Sequence, residues 1–352
     1  MRGSTMRALV KYAAGEGNVG IREMPVIAPK ADEILIKVKY CGICGTDLHI
    51  EADEYPNTPP VIMGHEYCGT VVEVGADAAG QWKVGDRVVG ELHTGACGVC
   101  ELCLAGKPHI CNQKLALGSK YNGAFAEYLT LPACWAHAIP EGVSWEVAGV
   151  TEPFAITNHC LRERGHIQDC RSVLISGAAT MGLMSVVVCS YLGVRDIIVS
   201  GTGIDRDERF PLALSVGATR VVDVTSENLA LAVKQVTEGR GVDGWIECSG
   251  SPAAINVGLK LLKKTGQAVL IGLVGKPSIP IEWNQLLYNE LDLFACFSSP
   301  PSSWEKALAI EAAVAPQLRQ LVTQVIPLEN WAEGFAAMRR GDGVKILVDM
   351  EA

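Results

Sequence analysis

The chain has 352 residues, with thirty basic and thirty-nine acidic side chains giving a formal charge of −9, and 49% hydrophobic against 20% charged residues. That length suggests two domains, and the composition supports buried cores rather than a disordered chain. The acidic balance, without any basic block, argues against DNA or RNA as a partner. With no run of eighteen apolar residues and no secretory leader pattern, the expectation is a soluble, cytoplasmic protein that makes no use of a membrane.

Met1 to Thr5 precede a second methionine and a strand-like run from Met6 to Tyr12, so they look like appended sequence and are left out of the fold argument. From Arg7 to about Ala138 the chain reads as short β runs broken by glycine and proline, among them Glu33–Tyr40, Cys68–Val74 and Asp86–Gly90. Between Arg171 and Ser298 apolar strands alternate with helical stretches: Ser172–Ser176, Ile197–Ser200, Arg220–Val224, Gly244–Cys248, Ala268–Leu273 and Leu293–Phe297. Six such strands with crossovers predict a doubly wound parallel sheet of α/β type, buried on both faces. After Pro300 and Pro301 come helical stretches Ser303–Ala313 and Trp331–Arg340 and a last strand, Lys345–Met350. This tail is expected to rejoin the first domain, leaving a ligand-binding cleft between the two.

Thirteen cysteines are an odd number, mostly scattered through apolar segments, which disfavours a disulfide framework. Four of them cluster: Cys97, Cys100, Cys103 and Cys111 form C-x2-C-x2-C-x7-C in a glycine-rich stretch. Four thiolates at this spacing suit one tetrahedral zinc with no vacant position, a structural metal that contributes to folding. Two disulfides or four ordinary core thiols are the alternatives.

Three other pieces carry metal-ligand types: Cys41-Gly42-Ile43-Cys44-Gly45-Thr46-Asp47-Leu48-His49, Gly64-His65-Glu66 and Thr151-Glu152-Pro153. No single piece is decisive, but together and in this order they resemble the zinc-dependent medium-chain alcohol dehydrogenases over nearly the whole chain. Glu152-Pro153, where the ethanol enzymes have a cysteine, places the resemblance nearer the polyol (sorbitol), threonine and sugar dehydrogenases. The resemblance implies a GroES-like β-rich catalytic domain over 6–155 and 299–352, and a Rossmann dinucleotide-binding domain over 156–298. It also implies Cys44 and His65 as fixed ligands of a catalytic zinc, with Glu66 and Glu152 as carboxylates that bind directly or through water. A thiolate, an imidazole and a carboxylate would nearly cancel the metal's charge and leave a position for substrate, where zinc acts as a Lewis acid. Thr46 and His49, two and five residues after Cys44, are the expected proton relay, His49 being equally readable as a solvent-facing histidine. Cys41 is expected not to ligate.

Ser176-Gly177-Ala178-Ala179-Thr180-Met181-Gly182 follows a buried strand and opens the apolar helix Leu183–Tyr191, the place for a dinucleotide-binding turn. Gly177, Ala179, Thr180, Met181 and Gly182 are its candidate contacts, although Ala179 departs from G-x-G-x-x-G. The acidic residue usual at the end of the second strand is absent at Gly201. The following loop leaves Asp205 able to return towards a ribose, or Arg206 and Arg209 able to meet a phosphate, so NAD and NADP both stay open. Ser249, Gly272 with Leu273, and Ser298 are further candidate cofactor contacts. Tyr121, Asn122, Asn158 and His159 are possible polar contacts that read more readily as structural.

The expected activity is hydride transfer between NAD(P) and a secondary alcohol or ketone of a small hydrophilic substrate: a polyol, sugar or hydroxy amino acid. It would use two zinc ions per subunit, one catalytic and one structural, in a homo-oligomer (tetramer or dimer). An NADPH-dependent biosynthetic ketone reductase and a nucleotide-binding scaffold without chemistry are the alternatives.

Overall fold

A computed structural model describes residues 4–352. Met1, Arg2 and Gly3 of the segment expected to be appended lie outside the described residues. Its last two residues take part in the fold: Thr5 opens the strand Thr5–Lys11 opposite Pro25, and the Ser4 carbonyl accepts the Val26 N–H at 3.0 Å.

The chain divides into two compact units. One runs to Glu152 and takes up Ser299–Ala315 and Val322–Ala352; the other comprises Pro153–Ser298 and Pro316–Leu321.

The first unit is built on β structure. Its long strand Glu33–Gly42 pairs antiparallel with Glu66–Val74, so that Gly42 lies opposite Glu66 and Cys41 opposite Tyr67. On its other side lies Lys345–Asp349, with Leu347 opposite Gly42, so the end of the chain returns beside the Cys41–Cys44 segment. The backbone bond from Ile43 N–H to the Ile346 carbonyl, 2.9 Å, ties that return down. Residues 62–64 pair with 123–125 through Gly123 N–H to Ile62 O, Ala124 N–H to Gly64 O and Phe125 N–H to Met63 O, all within 2.9 Å. His65 therefore leaves a fixed backbone. Beneath it lies one continuous core that includes Ile43, Phe125, Phe335 and Ile346, each such side chain contributing ~1.5–3 kcal/mol on burial.

The second unit holds a six-stranded, all-parallel sheet, Arg220–Asp223, Asp196–Gly201, Ser172–Ser176, Val242–Glu247, Leu262–Leu270 and Asp292–Ala295 in spatial order. With strands counted along the chain this is 3-2-1-4-5-6, the doubly wound order that puts ligands at the carboxyl ends of the strands. Two expected strands end two or more residues early. The strand expected at Ala268–Leu273 begins at Leu262 and stops at Leu270, because the N–H groups of Ile271 and Gly272 turn back onto the Glu247 carbonyl, both at 2.9 Å. The last ends at Ala295 rather than Phe297. The helix expected over Ser303–Ala313 extends over Pro301–Leu321 and accommodates Pro316.

Glu311 on that helix is fully buried and accepts a hydrogen bond from Thr151 Oγ1 at 2.6 Å. Burial pushes its carboxyl up from 4.5 to about 7. The folded chain thus keeps a proton that the unfolded chain releases, so this group's contribution to stability falls as pH rises from 4.5 to about 7. We predict that the stability of Glu311→Gln relative to the parent in urea unfolding rises by about 1–3 kcal/mol between about pH 5.5 and about pH 8. An equal difference at both pH values would contradict this.

Candidate metal centre and dinucleotide turn

Cys44 ends the extended segment after Gly42 and is the N-cap of the short helix Gly45–Glu51. His65 and Glu66 arrive at the start of the neighbouring strand. The pairing brings Cys44 Sγ, a ring nitrogen of His65 and a carboxylate oxygen of Glu66 within 4.8 Å of one another. Gly42 is part of the reason: a Cβ there would come 2.3 Å from Glu66 Oε2, so only a glycine leaves that carboxylate its place.

Two charged residues that sequence reasoning did not single out hold this cluster. Asp47 is fully buried; its Oδ2 accepts the Cys44 N–H at 2.9 Å, and its Oδ1 has no hydrogen-bond partner and lies 3.6 Å from His65 Nδ1. Burial alone would disfavour a charged ring, yet Asp47 and the Cys44 thiol hold the His65 pKa well above the ordinary imidazole value. The pocket favours positive charge among its acids. Lys345, 2% exposed, donates to Glu66 Oε2 at 2.6 Å and to the Ile43 carbonyl at 3.0 Å. Removing one partner of such a buried pair costs roughly 3–5 kcal/mol. Spacing could not reveal Lys345, because its contact is made 279 residues away along the chain.

Glu152 sits in the first turn of the helix Thr151–Asn158, 4% exposed. Its carboxylate is outside the mutually close set of three but close enough to feel the charges of His65, Glu66, Lys345 and Lys114. Burial pushes its carboxyl up to about 7. Lys114, also absent from the sequence reading, donates to the His109 carbonyl at 2.8 Å, and burial pushes its pKa down to about 8.

Thr46 Oγ1 lies 3.7 Å from Cys44 Sγ. His49 lies apart from it: the ring is exposed and Nδ1 pairs with Glu54 Oε2 at 2.8 Å. Cys41 is fully buried and outside the metal-sized cluster, and burial raises its thiol pKa well above the ordinary value. Of the possible polar contacts, Asn122 Oδ1 accepts the Ile62 N–H, Asn158 donates to the Phe154 carbonyl, and His159 pairs with Glu163.

The four clip cysteines also converge within 4.8 Å. Sulfur–sulfur distances are 3.7 Å for Cys97–Cys111, 3.8 Å for Cys100–Cys111 and 4.0 Å for Cys97–Cys103. All four are free thiols. Zinc–sulfur bonds of about 2.3 Å in a tetrahedron require sulfur–sulfur edges of about 3.8 Å, so the donor set fits zinc and not disulfides. Backbone N–H groups of Cys97 and Gln113 lower the Cys111 thiol to about 6, which favours the thiolate a metal needs.

In the second unit a cavity of about 750 Å³ lies at the carboxyl ends of the strands; Gly177, Ala179, Asp205, Arg209 and Ser249 are among its lining residues. The helix Thr180–Tyr191 begins there with Ala179 as its N-cap, whose side chain offers no acceptor to the first turn. Gly182 meets the expected packing role, since a Cβ would fall 1.8 Å from the Gly177 carbonyl oxygen. The first helical turn can therefore present N–H groups to a pyrophosphate. Thr180, Met181 and Gly182 begin the helix but are not among the cavity's lining residues, and neither are Arg206, Gly272, Leu273 and Ser298. Gly272 is explained by packing: a Cβ would meet Glu247 Oε2 and the Gly250 nitrogen at 2.4 Å. Leu273 is 72% exposed. Ser298 has a buried Oγ without a hydrogen-bond partner.

The family model for the alcohol dehydrogenase GroES-like domain matches residues 30–141, and that for zinc-binding dehydrogenases matches residues 180–313. The chain is 33% identical over 347 residues to a D-arabitol-phosphate dehydrogenase from Enterococcus avium, covering 98% of this chain and 97% of that one. It is equally 33% identical, over 344 residues, to a sorbitol dehydrogenase from Halalkalibacterium halodurans, covering 97% and 99%. The crystal structure of a zinc-binding dehydrogenase from Sinorhizobium meliloti 1021 bound to NADP matches with a TM-score of 0.89 at 31% identity, covering 98% of this chain and 99% of that one.

The clip generates a direct prediction. Cys100→Ser should lower zinc content by one equivalent per chain and lower Tm by about 10 °C or more, because a structural zinc supplies on the order of 10 kcal/mol to its lobe. Elemental analysis and calorimetry check it; unchanged zinc content would contradict it.

Proposed function

Since the chain belongs to the zinc-dependent medium-chain alcohol dehydrogenases and is an NAD(P)-dependent alcohol oxidoreductase, we propose that Cys44, His65 and Glu66 hold its catalytic zinc and that its substrate is a polyol or a similarly hydrophilic secondary alcohol. The observation that carries the assignment is the convergence of a thiol, an imidazole and a carboxylate within 4.8 Å. Bound there, zinc supplies Lewis acidity that makes an alcohol easier to deprotonate and a ketone easier to reduce.

The chain's own groups do the rest. Asp47 fixes the Cys44 backbone and faces the His65 ring, setting the direction in which its other nitrogen points. Lys345 neutralises and anchors Glu66, and Glu152 adds a second carboxyl, which burial holds up at about 7 despite its cationic neighbours. We assign to Thr46, whose Oγ1 lies 3.7 Å from Cys44 Sγ, the hydroxyl that relays the substrate proton, and to His49, exposed and paired with Glu54, its later hand-over to solvent. In the second unit, Gly177, Ala179 and the first turn from Thr180 to Gly182 are assigned to the pyrophosphate. The catalytic domain is assigned to 6–155 with 299–352 and the dinucleotide domain to 156–298. Relatives named for arabitol phosphate and sorbitol support a polyol-type substrate, sugars and hydroxy amino acids being the neighbouring chemistries. We assign a homo-oligomeric state by the same relationship.

A panel of polyols, sugars and threonine with NAD and NADP, followed at the reduced-nicotinamide absorbance, tests the reading. We expect turnover of at least one polyol. We also expect Cys44→Ala to lose one zinc and about 10³-fold or more in kcat/KM, and Thr46→Val to lose roughly 10²–10⁴-fold in kcat. Turnover that survives Cys44→Ala with unaltered metal content would overturn the assignment of the catalytic zinc to Cys44, His65 and Glu66.

A further inference from the structure

We infer that Asp205 stands in for the carboxylate missing at the end of the second parallel strand and makes the enzyme select NAD over NADP, an inference that rests on the dinucleotide-binding reading of the second unit. In doubly wound folds an acid at that strand end accepts hydrogen bonds from the adenosine ribose, and its charge disfavours a 2′-phosphate. Here the strand Asp196–Gly201 ends without a side chain. The space is filled from four residues further on: a Cβ at Gly201 would come 2.5 Å from Asp205 Oδ2.

A short turn, Gly203–Asp205, brings the carboxylate back. Asp205 Oδ2 accepts the Thr202 N–H at 2.9 Å and Oδ1 accepts from Arg209 Nη1 at 3.0 Å, so its position is fixed at both oxygens. It is 5% exposed yet contributes to the cavity wall with Gly201, Arg209 and Glu227. A carboxylate oxygen can accept more than one hydrogen bond, so both remain able to receive a ribose hydroxyl.

The neighbouring cations are already committed. Arg206 Nη2 pairs with Asp223, whose carboxyl is held down at about 2 by the Thr225 hydroxyl and N–H and by Arg206 itself. Arg209 pairs with Asp205. Glu227 accepts the Asp223 N–H at 3.1 Å. Three carboxylates thus face two guanidinium groups, and a 2′-phosphate would add roughly two further negative charges. For Arg209 to meet that phosphate it would have to leave Asp205 as an unpaired buried carboxylate, which is the costly way to break such a pair.

Calorimetric titration of the zinc-loaded enzyme with NAD and with NADP, without substrate, tests this apart from turnover. We expect NAD to bind at least about tenfold more tightly than NADP. Asp205→Asn, which keeps the shape and removes the charge, should bring the two dissociation constants within about threefold of each other, chiefly by improving NADP. If circular dichroism shows that this variant has lost its fold, the double variant Gly201→Asp with Asp205→Ser, which returns the acid to the strand end, should retain the preference for NAD. Equal or tighter binding of NADP by the parent enzyme would overturn the inference alone, as would an unchanged ratio in a folded Asp205→Asn variant or loss of the preference in the double variant. Failure of both dinucleotides to bind would overturn it together with the dinucleotide-binding reading.

Discussion

Acidic groups gathered in a buried pocket are stable only if cations are gathered with them, and this requirement organises the first unit. Glu66, Glu152 and Asp47 lie at or near the Cys44 thiol in a region almost closed to water. Lys345 supplies one compensating charge from the far end of the chain, and the His65 ring, whose pKa Asp47 and the Cys44 thiol raise against burial, is the second group able to supply one. A divalent ion among those donors meets the same demand more completely, because it binds thiolate, imidazole and carboxylate at once. The strand pairings beside Glu33–Gly42 are what bring these groups together: Glu66–Val74 delivers the imidazole and carboxylate on one side, and Lys345–Asp349 delivers the ammonium on the other.

The clip solves a different problem with similar chemistry. Residues 97–111 contain only a four-residue helix and a 3-10 turn, too little regular structure to bury a core of their own. A metal held by the four converging sulfurs would replace that missing core with metal–ligand bonds. A saturated set of thiolates has no room for a substrate oxygen, whereas three mixed donors leave one coordination position. The same kind of ion would then stiffen one loop and support catalysis at the other site.

Much of this was legible because the chemistry is local in sequence. The clip lies within fifteen residues, the glycine turn within seven, and the six parallel strands announce themselves as apolar runs. The contributions that escaped are those created by folding. Lys345 reads as the polar start of an ordinary strand until that strand is laid beside Cys44. Asp47 reads as a surface acid in a loop, yet the helix that starts at Gly45 turns it inward against His65. Which carboxylate lies nearest the thiol and imidazole was undecided between Glu66 and Glu152, since both follow recognisable motifs; the strand pairing of Gly42 with Glu66 is what distinguishes them. The ends of elements shifted for the same reason, as at Ile271 and Gly272, where bonding to Glu247 cut short an apolar run.

The most direct test of the central claim is an anomalous diffraction map of the active enzyme, recorded at the zinc absorption edge with an alcohol substrate bound. The account predicts one peak among the four clip sulfurs and a second bonded to Cys44 Sγ and His65, with a carboxylate nearby and one coordination position filled by the substrate's hydroxyl oxygen. An active enzyme with no peak at Cys44 and His65, or with that ion enclosed by four protein ligands in the presence of substrate, would contradict it.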